Sequence, residues 1–450
     1  MDKYSFLMYE RAGTVMLDPV GTVLSLLVVV AVGMMISSTR LPHTLKQLLY
    51  AALAFRVIGA VARYVVLFAV YAGSGDARKY YRESLYYAEQ LWAFNPAPLF
   101  DPQNWWAGRW WGTQFVYFIG TLVHMLVGAS MPGGYIVFSL FAFAGLYCFM
   151  LAFQRTYPHV PTWHYARWIF FFPALWFWPS SIGKEAIVLM GMGFATLGYV
   201  GRAGRINWLL LTSGVLLVFA IRPEVAAVVI SSLLAAHWLS LITSRWTLRN
   251  TMQAAVLIGA GLLGLYYAMR VEGIELDPDS VQTYMADSQG RAVEGTSNIE
   301  AVPVGISGIP LALINILFRP FIWEASSLMV LITSVEIMSL WLIAWYRRAT
   351  LVRALRHWRH DRLLRVAVPF ILAYAVSLGM VIANMGIVAR QRIFLFPFLF
   401  LLIEAVPRVA VHVPAAVQPA RGRVRPLRPL RRPVRPPAAP AVQRQAASES

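Results

Sequence analysis

The stretch FFPALWFWPSSIGKEAIVLM, residues 171 to 190, joins two apolar runs through a polar turn that contains Pro179, Gly183, Lys184 and Glu185. A Lys or Glu side chain at the centre of a bilayer costs about 3 kcal/mol or more, so these charges require an interface or a polar cavity. The turn is therefore a candidate functional site. The alternative interpretation is a tight turn outside the membrane with two solvated charges.

The composition of the chain predicts a membrane protein. Hydrophobic residues make up 58% of the 450 residues and charged residues 13%, whereas a soluble domain carries about 25% charged residues. We expect an all-α polytopic integral membrane protein with about 10 to 12 transmembrane helices, multi-pass in the inner (plasma) membrane. The first apolar run, near Asp18, is interpreted as an anchor because another span follows it without a cleavage site. The single Cys148 excludes an intramolecular disulfide and a multi-thiolate metal site.

The formal charge of +18 does not indicate nucleic-acid binding. The basic residues collect in short loops between apolar runs and in the C-terminal tail, as the positive-inside rule predicts for cytoplasmic segments. Residues 1–406 are predicted to form the transmembrane domain, and the Pro- and Arg-rich residues 407–450 a disordered cytoplasmic tail. Its Arg residues would bind anionic lipid headgroups at about 1 kcal/mol each. A solvated tail that only fixes the topology is the alternative.

Two segments are too polar to cross a membrane. Residues 73–114 are dense in Trp and Tyr, which favours amphipathic helices at headgroup level. Residues 271–307 carry seven acidic residues and one Arg, which indicates an external loop.

The apolar runs predict one membrane crossing more than a topology with Asp76 and Glu185 on the same side allows. If Asp76 and Glu185 are both external, three runs separate them, namely 115–130, 134–153 and 168–179. The short, Pro-bearing run 168–179 is predicted to be re-entrant, because irregular backbone is tolerated where it lines a cavity. A cytoplasmic position for 73–114 is the alternative.

Several charges are predicted to gather on the external side. They are the carboxylates Asp76 and Glu185 and the cations Lys184, Arg222, Arg319, Arg390 and Arg392. Arg forks suit a phosphate or pyrophosphate, and a carboxylate can accept a proton or position a divalent metal. The alternative is local ion pairing of Arg222 with Glu224 and of Arg319 with Glu324. Arg390 and Arg392 have no acid nearby in sequence and are the favoured phosphate ligands.

The order of GDARKYYRESLYYAEQ (75–90), ARWIFFFPALWFWPSSIGKEAIVL (166–189) and an Arg-Pro junction resembles the GT-C polytopic glycosyltransferases of the family 39 type. The resemblance covers about residues 50 to 225. It implies transfer of a sugar from a polyprenyl-phosphate-linked donor, with Asp76 as catalytic or metal-positioning carboxylate and Glu185 as the second acidic position. A divalent cation, Mg²⁺ or Mn²⁺, would be the cofactor, although Lys184 stands where a metal site would prefer another acid.

The C-terminal half, with FRPFIWEASSLMVLITSVE (318–336) and NMGIVARQRIFLFPF (384–398), is similar to bacterial membrane proteins of polysaccharide assembly. Two further functions therefore stay open. The first is a polymerase or ligase of lipid-linked oligosaccharides, and the second is a lipid or polysaccharide transporter (flippase). A transporter would often show an internal repeat, and none is recognised.

Overall fold

The computed structural model describes residues 18–100, 110–202, 204–243, 302–303, 305–382 and 384–406, together with the single positions 252, 255, 259, 266 and 283. Within these residues every regular element is a helix, and no strand occurs. The all-α membrane class is thereby confirmed in its coarse form. The predicted disordered tail and most of the predicted acidic loop lie outside the described residues.

The α-helices are numbered in chain order. They are α1 (Pro19–Ser38), α2 (His43–Ala69), α3 (Asp76–Trp92), α4 (Ala97–Phe100), α5 (Thr113–Val127), α6 (Met131–Thr156), α7 (Thr162–Phe171), α8 (Pro173–Phe177), α9 (Lys184–Val200), α10 (Trp208–Ile221), α11 (Pro223–Thr243), α12 (Ile309–Leu317), α13 (Leu328–Tyr346), α14 (Arg348–His357), α15 (Leu364–Val381), α16 (Met385–Gln391) and α17 (Phe396–Glu404).

Six of the described helices are long and apolar enough to cross a membrane. They are α1, α2, α6, α11, α13 and α15. A seventh candidate is the bent pair formed by Met385–Phe394 and Phe396–Glu404, with 54° between its halves. Length and composition among the described residues thus support six or seven spans.

Two groups of ion pairs mark opposite ends of the helix bundle. At one end, which we call the Asp76 end, Arg390 bonds Asp76 and Glu185. At the other, the Glu404 end, Glu404 contacts Arg347 and Arg167. α13 and α17 both terminate at the Glu404 end. The direction of each remaining helix is then given by which of its ends lies beside one of these two groups.

Residues 162–184 run from one end of the bundle to the other as a broken helix. α7 begins beside Glu404, where Trp168 Nε1 donates to the Glu404 carboxylate at 2.8 Å. α8 follows after a break at Phe172, and the chain then reaches Lys184 at the Asp76 end. This course differs from the re-entrant turn predicted for 168–179, because Pro173 interrupts the helix without turning the chain back.

The helix that stays at one end is α5, part of the predicted span 115–130. Before it, the Gly112 N–H donates to Ala220 O at 2.7 Å. After it, Ala129 O accepts from the Tyr81 hydroxyl of α3 at 2.6 Å. Fifteen residues of helix measure about 22 Å, short of a hydrocarbon core of about 30 Å. Because both of its ends contact residues of the Asp76 end, α5 lies across the bundle, and the excess crossing is removed here.

The segment that contains α12 folds back on itself beside α13. Ala312 lies against Gly379 near the end of α15, and Leu317 O accepts from Trp341 Nε1 at 2.7 Å. The chain then turns at Arg319 and Pro320 and returns to the start of α13 at Leu328. α12 therefore enters the bundle without crossing it.

The short helix α16 forms at the junction between α15 and α17. The Asn384 side chain accepts hydrogen bonds from the N–H groups of Gly386 and Ile387, at 2.9 and 3.3 Å. This is an N-terminal cap, which satisfies backbone donors that a helix start otherwise leaves unpaired. The cap lets the helix begin before Arg390 and fixes the direction of that side chain.

Cysteine accessibility tests the placement of α5. In a Cys148→Ala background, Asn95→Cys and Ala129→Cys should react with a membrane-impermeant thiol reagent from the same side, because α3 and α5 lie across one end. His159→Cys, at the Glu404 end, should react from the opposite side. Labelling of positions 95 and 129 from opposite sides would contradict a non-crossing α5.

Candidate functional site

The centre of the candidate site is an ion pair between Glu185 and Arg390. Arg390 Nε donates to Glu185 Oε1 at 2.7 Å and Nη2 donates to Oε2 at 3.1 Å. This is the two-bond fork that guanidinium and carboxylate groups form best. Gly183 permits the approach, since a Cβ there would meet Glu185 Oε2 at 3.1 Å. The Glu185 side chain is 2% exposed, so the fork is largely removed from water.

Asp76 is joined to the same guanidinium. Arg390 Nη1 donates to Asp76 Oδ2 at 3.2 Å, and the Asp76 side chain is 60% exposed. Asp76 occupies the first turn of α3, which begins after Gly75. The site therefore holds one buried carboxylate and one accessible carboxylate on a single Arg, and only the accessible one can meet a substrate.

Arg222 provides a second cation on Glu185. It stands between α10 and α11, with Nη2 at 3.6 Å from Glu185 Oε1 and Nη1 at 3.3 Å from Glu224 Oε1. The local pairing of Arg222 with Glu224 is therefore present. Glu224 is not the only carboxylate partner of Arg222, because the contact to Glu185 also connects the α10–α11 junction to α9.

Lys184 lies beside this network without a bond to it. Within the described residues its ammonium has no hydrogen-bond partner, and it lies 3.9 Å from the position of a Cβ at Gly112. Lys184, Arg222 and Arg390 face Asp76, Glu185 and Glu224, so these six charges balance. Among the described residues, the Lys184 ammonium is the cation of this group that forms no ion pair with a carboxylate.

Tyr80 borders the carboxylates from the next turn of α3. Burial, followed by the charges of Asp76 and Glu185, raises the pKa of Tyr80 to about 12. Its hydroxyl consequently keeps its proton near neutral pH and remains a hydrogen-bond donor next to Asp76.

Glu185 is the buried carboxylate of this network, and Arg390 and Arg222 both lie against it. With both oxygens bonded to Arg390, it is suited to hold cations in place and is poorly placed to accept a proton.

Arg319 and Arg392 do not join this site. Arg319 pairs with Glu324 at 2.6 Å and donates to Asn315 Oδ1 at 3.1 Å, so its local ion pair is present. Arg392 is 2% exposed and donates to the backbone oxygens of Asn315 and Arg319. The two residues form a separate polar cluster at the fold-back. Arg390 and Arg392, the two favoured phosphate ligands, face different partners in this structure, and their phosphate role stays a prediction.

One cation near the site was not among the predicted site residues. Arg63 on α2 lies over the rings of Phe177 and Trp178, at 5.1 and 4.9 Å to the ring centroids. Arg63 and Arg56 are seven residues apart and so share one face of α2, but the sequence carries no signal for the ring contacts, which depend on the break after α8.

The described residues contain no group of three or more His, Cys, Asp or Glu side chains arranged to hold a metal ion. The carboxylates at the Asp76 end are bonded to guanidinium groups, which occupy oxygens that a cation would need. Comparisons of the chain with protein-family models, curated proteins and solved structures returned no match.

Removal of the Glu185 charge should destabilise the fold. Glu185→Gln leaves Arg390 and Arg222 buried with incomplete compensation, so the free energy of unfolding should fall by about 3 to 5 kcal/mol. Glu224→Gln, at a side chain 53% exposed, should cost less than about 1 kcal/mol. The measurement is thermal unfolding of both variants in the same detergent.

Proposed function

We propose that the protein is a membrane glycosyltransferase that moves a sugar from a polyprenyl-(pyro)phosphate carrier to a cell-envelope glycan or lipid. The observation that carries the proposal is the Arg390 guanidinium bonded to buried Glu185 and accessible Asp76, next to the unengaged Lys184 ammonium. This arrangement supplies a base and an anion site at one end of a membrane-embedded bundle.

Asp76 is the proposed catalytic carboxylate. It is accessible, and among the described residues only its Oδ2 is bonded, to Arg390, so Oδ1 can accept a proton from an acceptor hydroxyl. Arg390 orients the carboxylate and Glu185 orients Arg390, so Glu185 is a positioning residue. General-base assistance of this kind contributes about 100- to 10,000-fold in rate.

Lys184 and Arg222 are the proposed ligands of the donor phosphate. Lys184 has three donors without a partner among the described residues. Arg222 donates one hydrogen bond, from Nη1 to Glu224, and its Nη2 lies 3.6 Å from Glu185 Oε1. The three nitrogens of Arg390 each bond a carboxylate, which limits its further use. The phosphate role first assigned to Arg390 is therefore placed on its neighbours.

The proposed reaction is a substitution at the anomeric carbon of the donor sugar. The acceptor oxygen forms a bond to that carbon while the bond to the carrier phosphate oxygen breaks and its electron pair leaves with the phosphate. Asp76 takes the acceptor proton. The cations stabilise the negative charge that develops on the leaving phosphate, which is the usual electrostatic contribution of an enzyme site.

We infer about 10 to 12 membrane crossings for the whole chain, in the inner membrane, with the Asp76 end outside. This number adds four further segments to the six or seven long helices, namely α9, α10, the broken segment 162–184 and the apolar run 251–268. Most of the run 251–268 lies outside the described residues. The basic α14 at the Glu404 end agrees with a cytoplasmic location. This arrangement suits the GT-C-like architecture that the sequence resembles.

A flippase or a polymerase of lipid-linked oligosaccharides would use the same donor class. The transporter alternative draws on the breaks after Phe171 and Phe318, since broken helices often form transporter sites. The accessible carboxylate of Asp76 and the unbonded ammonium of Lys184 lie together at one end of the bundle, which favours group transfer. A transport path would instead place such groups along the length of the bundle.

The test is donor binding and single-turnover transfer by the full chain in nanodiscs, with radiolabelled polyprenyl-phosphate sugars and extracted envelope acceptors. Asp76→Asn should reduce transfer by about 100- to 10,000-fold with little change in donor binding. Lys184→Gln should weaken donor binding by about 10- to 150-fold, as expected for loss of a charge-assisted contact.

Lys79→Gln is the matched control for Lys184→Gln. Lys79 is exposed on α3, three residues after Asp76, so the variant removes the same charge type close to the site and should leave binding and transfer unchanged. Normal donor binding by Lys184→Gln together with normal transfer by Asp76→Asn would overturn the enzyme proposal.

A further inference from the structure

An open apolar groove runs along the outer face of α13 and onto α14. It has a volume of about 490 Å³ and is lined by Phe318, Phe321, Trp323, Met338, Trp341 and Trp345, among others. Small-molecule sites in proteins occupy about 300 to 1,000 Å³. One wall is the fold-back after α12 and the other is α13, so the groove exists because α12 does not cross the bundle.

The walls of the groove offer an occupant almost no hydrogen bonds. The Phe318 and Trp341 rings stack at 4.4 Å, and the Phe321 and Trp323 rings at 4.8 Å. Trp341 Nε1 already donates to a backbone oxygen, and the Ser334 hydroxyl donates to Val330 O at 2.9 Å. The walls therefore select a hydrocarbon.

The end of the groove at the Glu404 end is cationic. Arg348 lines it, and its guanidinium lies 5.2 Å from the centroid of the Trp345 ring and donates to Trp345 O at 3.4 Å. Among the described residues no carboxylate pairs with Arg348. α14 continues with Arg353 and Arg356, and Arg359 follows its end; a basic cluster directly after a spanning helix is typical of anionic lipid recognition.

The groove is long enough for one lipid chain. From Ser334 to Arg348 the helical path measures about 21 Å, compared with about 15 Å for half of a hydrocarbon core. An apolar channel of this length with a cation at one end matches one acyl chain and its phosphate headgroup.

We propose that this groove binds an anionic phospholipid from the leaflet at the Glu404 end, with one acyl chain along α13 and the phosphate on Arg348. The site is separate from the Asp76 cluster and does not depend on the proposed transfer reaction. Arg319, which stands between the lining residues Phe318 and Pro320, is already neutralised by Glu324. A headgroup phosphate is therefore better placed on Arg348 than on Arg319.

The test is native mass spectrometry of the full chain released from detergent, titrated with phosphatidylglycerol or phosphatidylcholine. Wild type should retain one phosphatidylglycerol in preference to phosphatidylcholine. Arg348→Gln should weaken that retention about 10-fold or more. Met338→Trp should block it by filling the groove, because Met338 is 44% exposed and lines it.

Ile332→Trp is the matched control. Ile332 is 49% exposed and lies on the face of α13 opposite the groove, so the same enlargement should leave lipid retention unchanged. Equal retention by Met338→Trp and Ile332→Trp would overturn the proposal. Displacement of the bound lipid by polyprenyl phosphate would also overturn it. The absence of any retained phospholipid on the wild type would overturn it as well, and would indicate that another part of the chain covers the groove.

Discussion

The buried ion pair of Glu185 with Arg390 is the interaction on which the rest of the Asp76 end depends. Loss of one partner of such a pair costs about 3 to 5 kcal/mol, because the remaining charge stays buried without compensation. Arg390 also forms an ion pair with Asp76 of α3, and Glu185 also forms one with Arg222 of the α10–α11 junction. Four separate parts of the chain are thus fixed relative to one another by two side chains. Asp76 gains a defined position while remaining exposed, which combines accessibility with order.

A second constraint is the break between α7 and α8. Backbone groups at a break inside a membrane must find partners, since no water is present to bond them. Glu336 of α13 accepts the Ala174 N–H at 2.5 Å, and Arg56 of α2 donates to Leu175 O at 2.8 Å. Two ionisable side chains of long apolar helices therefore bond the backbone of one short helix. This explains why α2 and α13 carry ionisable residues in the middle of apolar spans, and it fixes the segment that leads to Lys184 and Glu185.

The sequence supported the membrane class, the polar turn at 183–185 and the grouping of Asp76 with Glu185, because each rests on local composition or on the cost of charge in lipid. It could not give the partners of Arg390, which are 205 and 314 residues away. The sequence predicted that 115–130 crosses and that 168–179 turns back, whereas in the structure 115–130 stays at one end and 168–179 runs between the two ends. This difference has a similar cause. Hydropathy counts apolar residues, whereas a crossing also depends on what each end of a helix contacts. α5 is apolar but pairs with α3, and α7 begins with polar residues that bond Glu404.

The late position of Arg390 in the chain has a consequence for biogenesis. Asp76, Glu185 and Arg222 are all synthesised long before the segment 385–404 leaves the ribosome. Until that segment inserts, Glu185 lacks its main counter-charge at a depth where an isolated carboxylate is unfavourable. The early helices must therefore stay hydrated or loosely assembled at this end and close only when α16 and α17 arrive. Completion of the chain then acts as a checkpoint, since a product that ends before α16 would lack the residue that assembles the site.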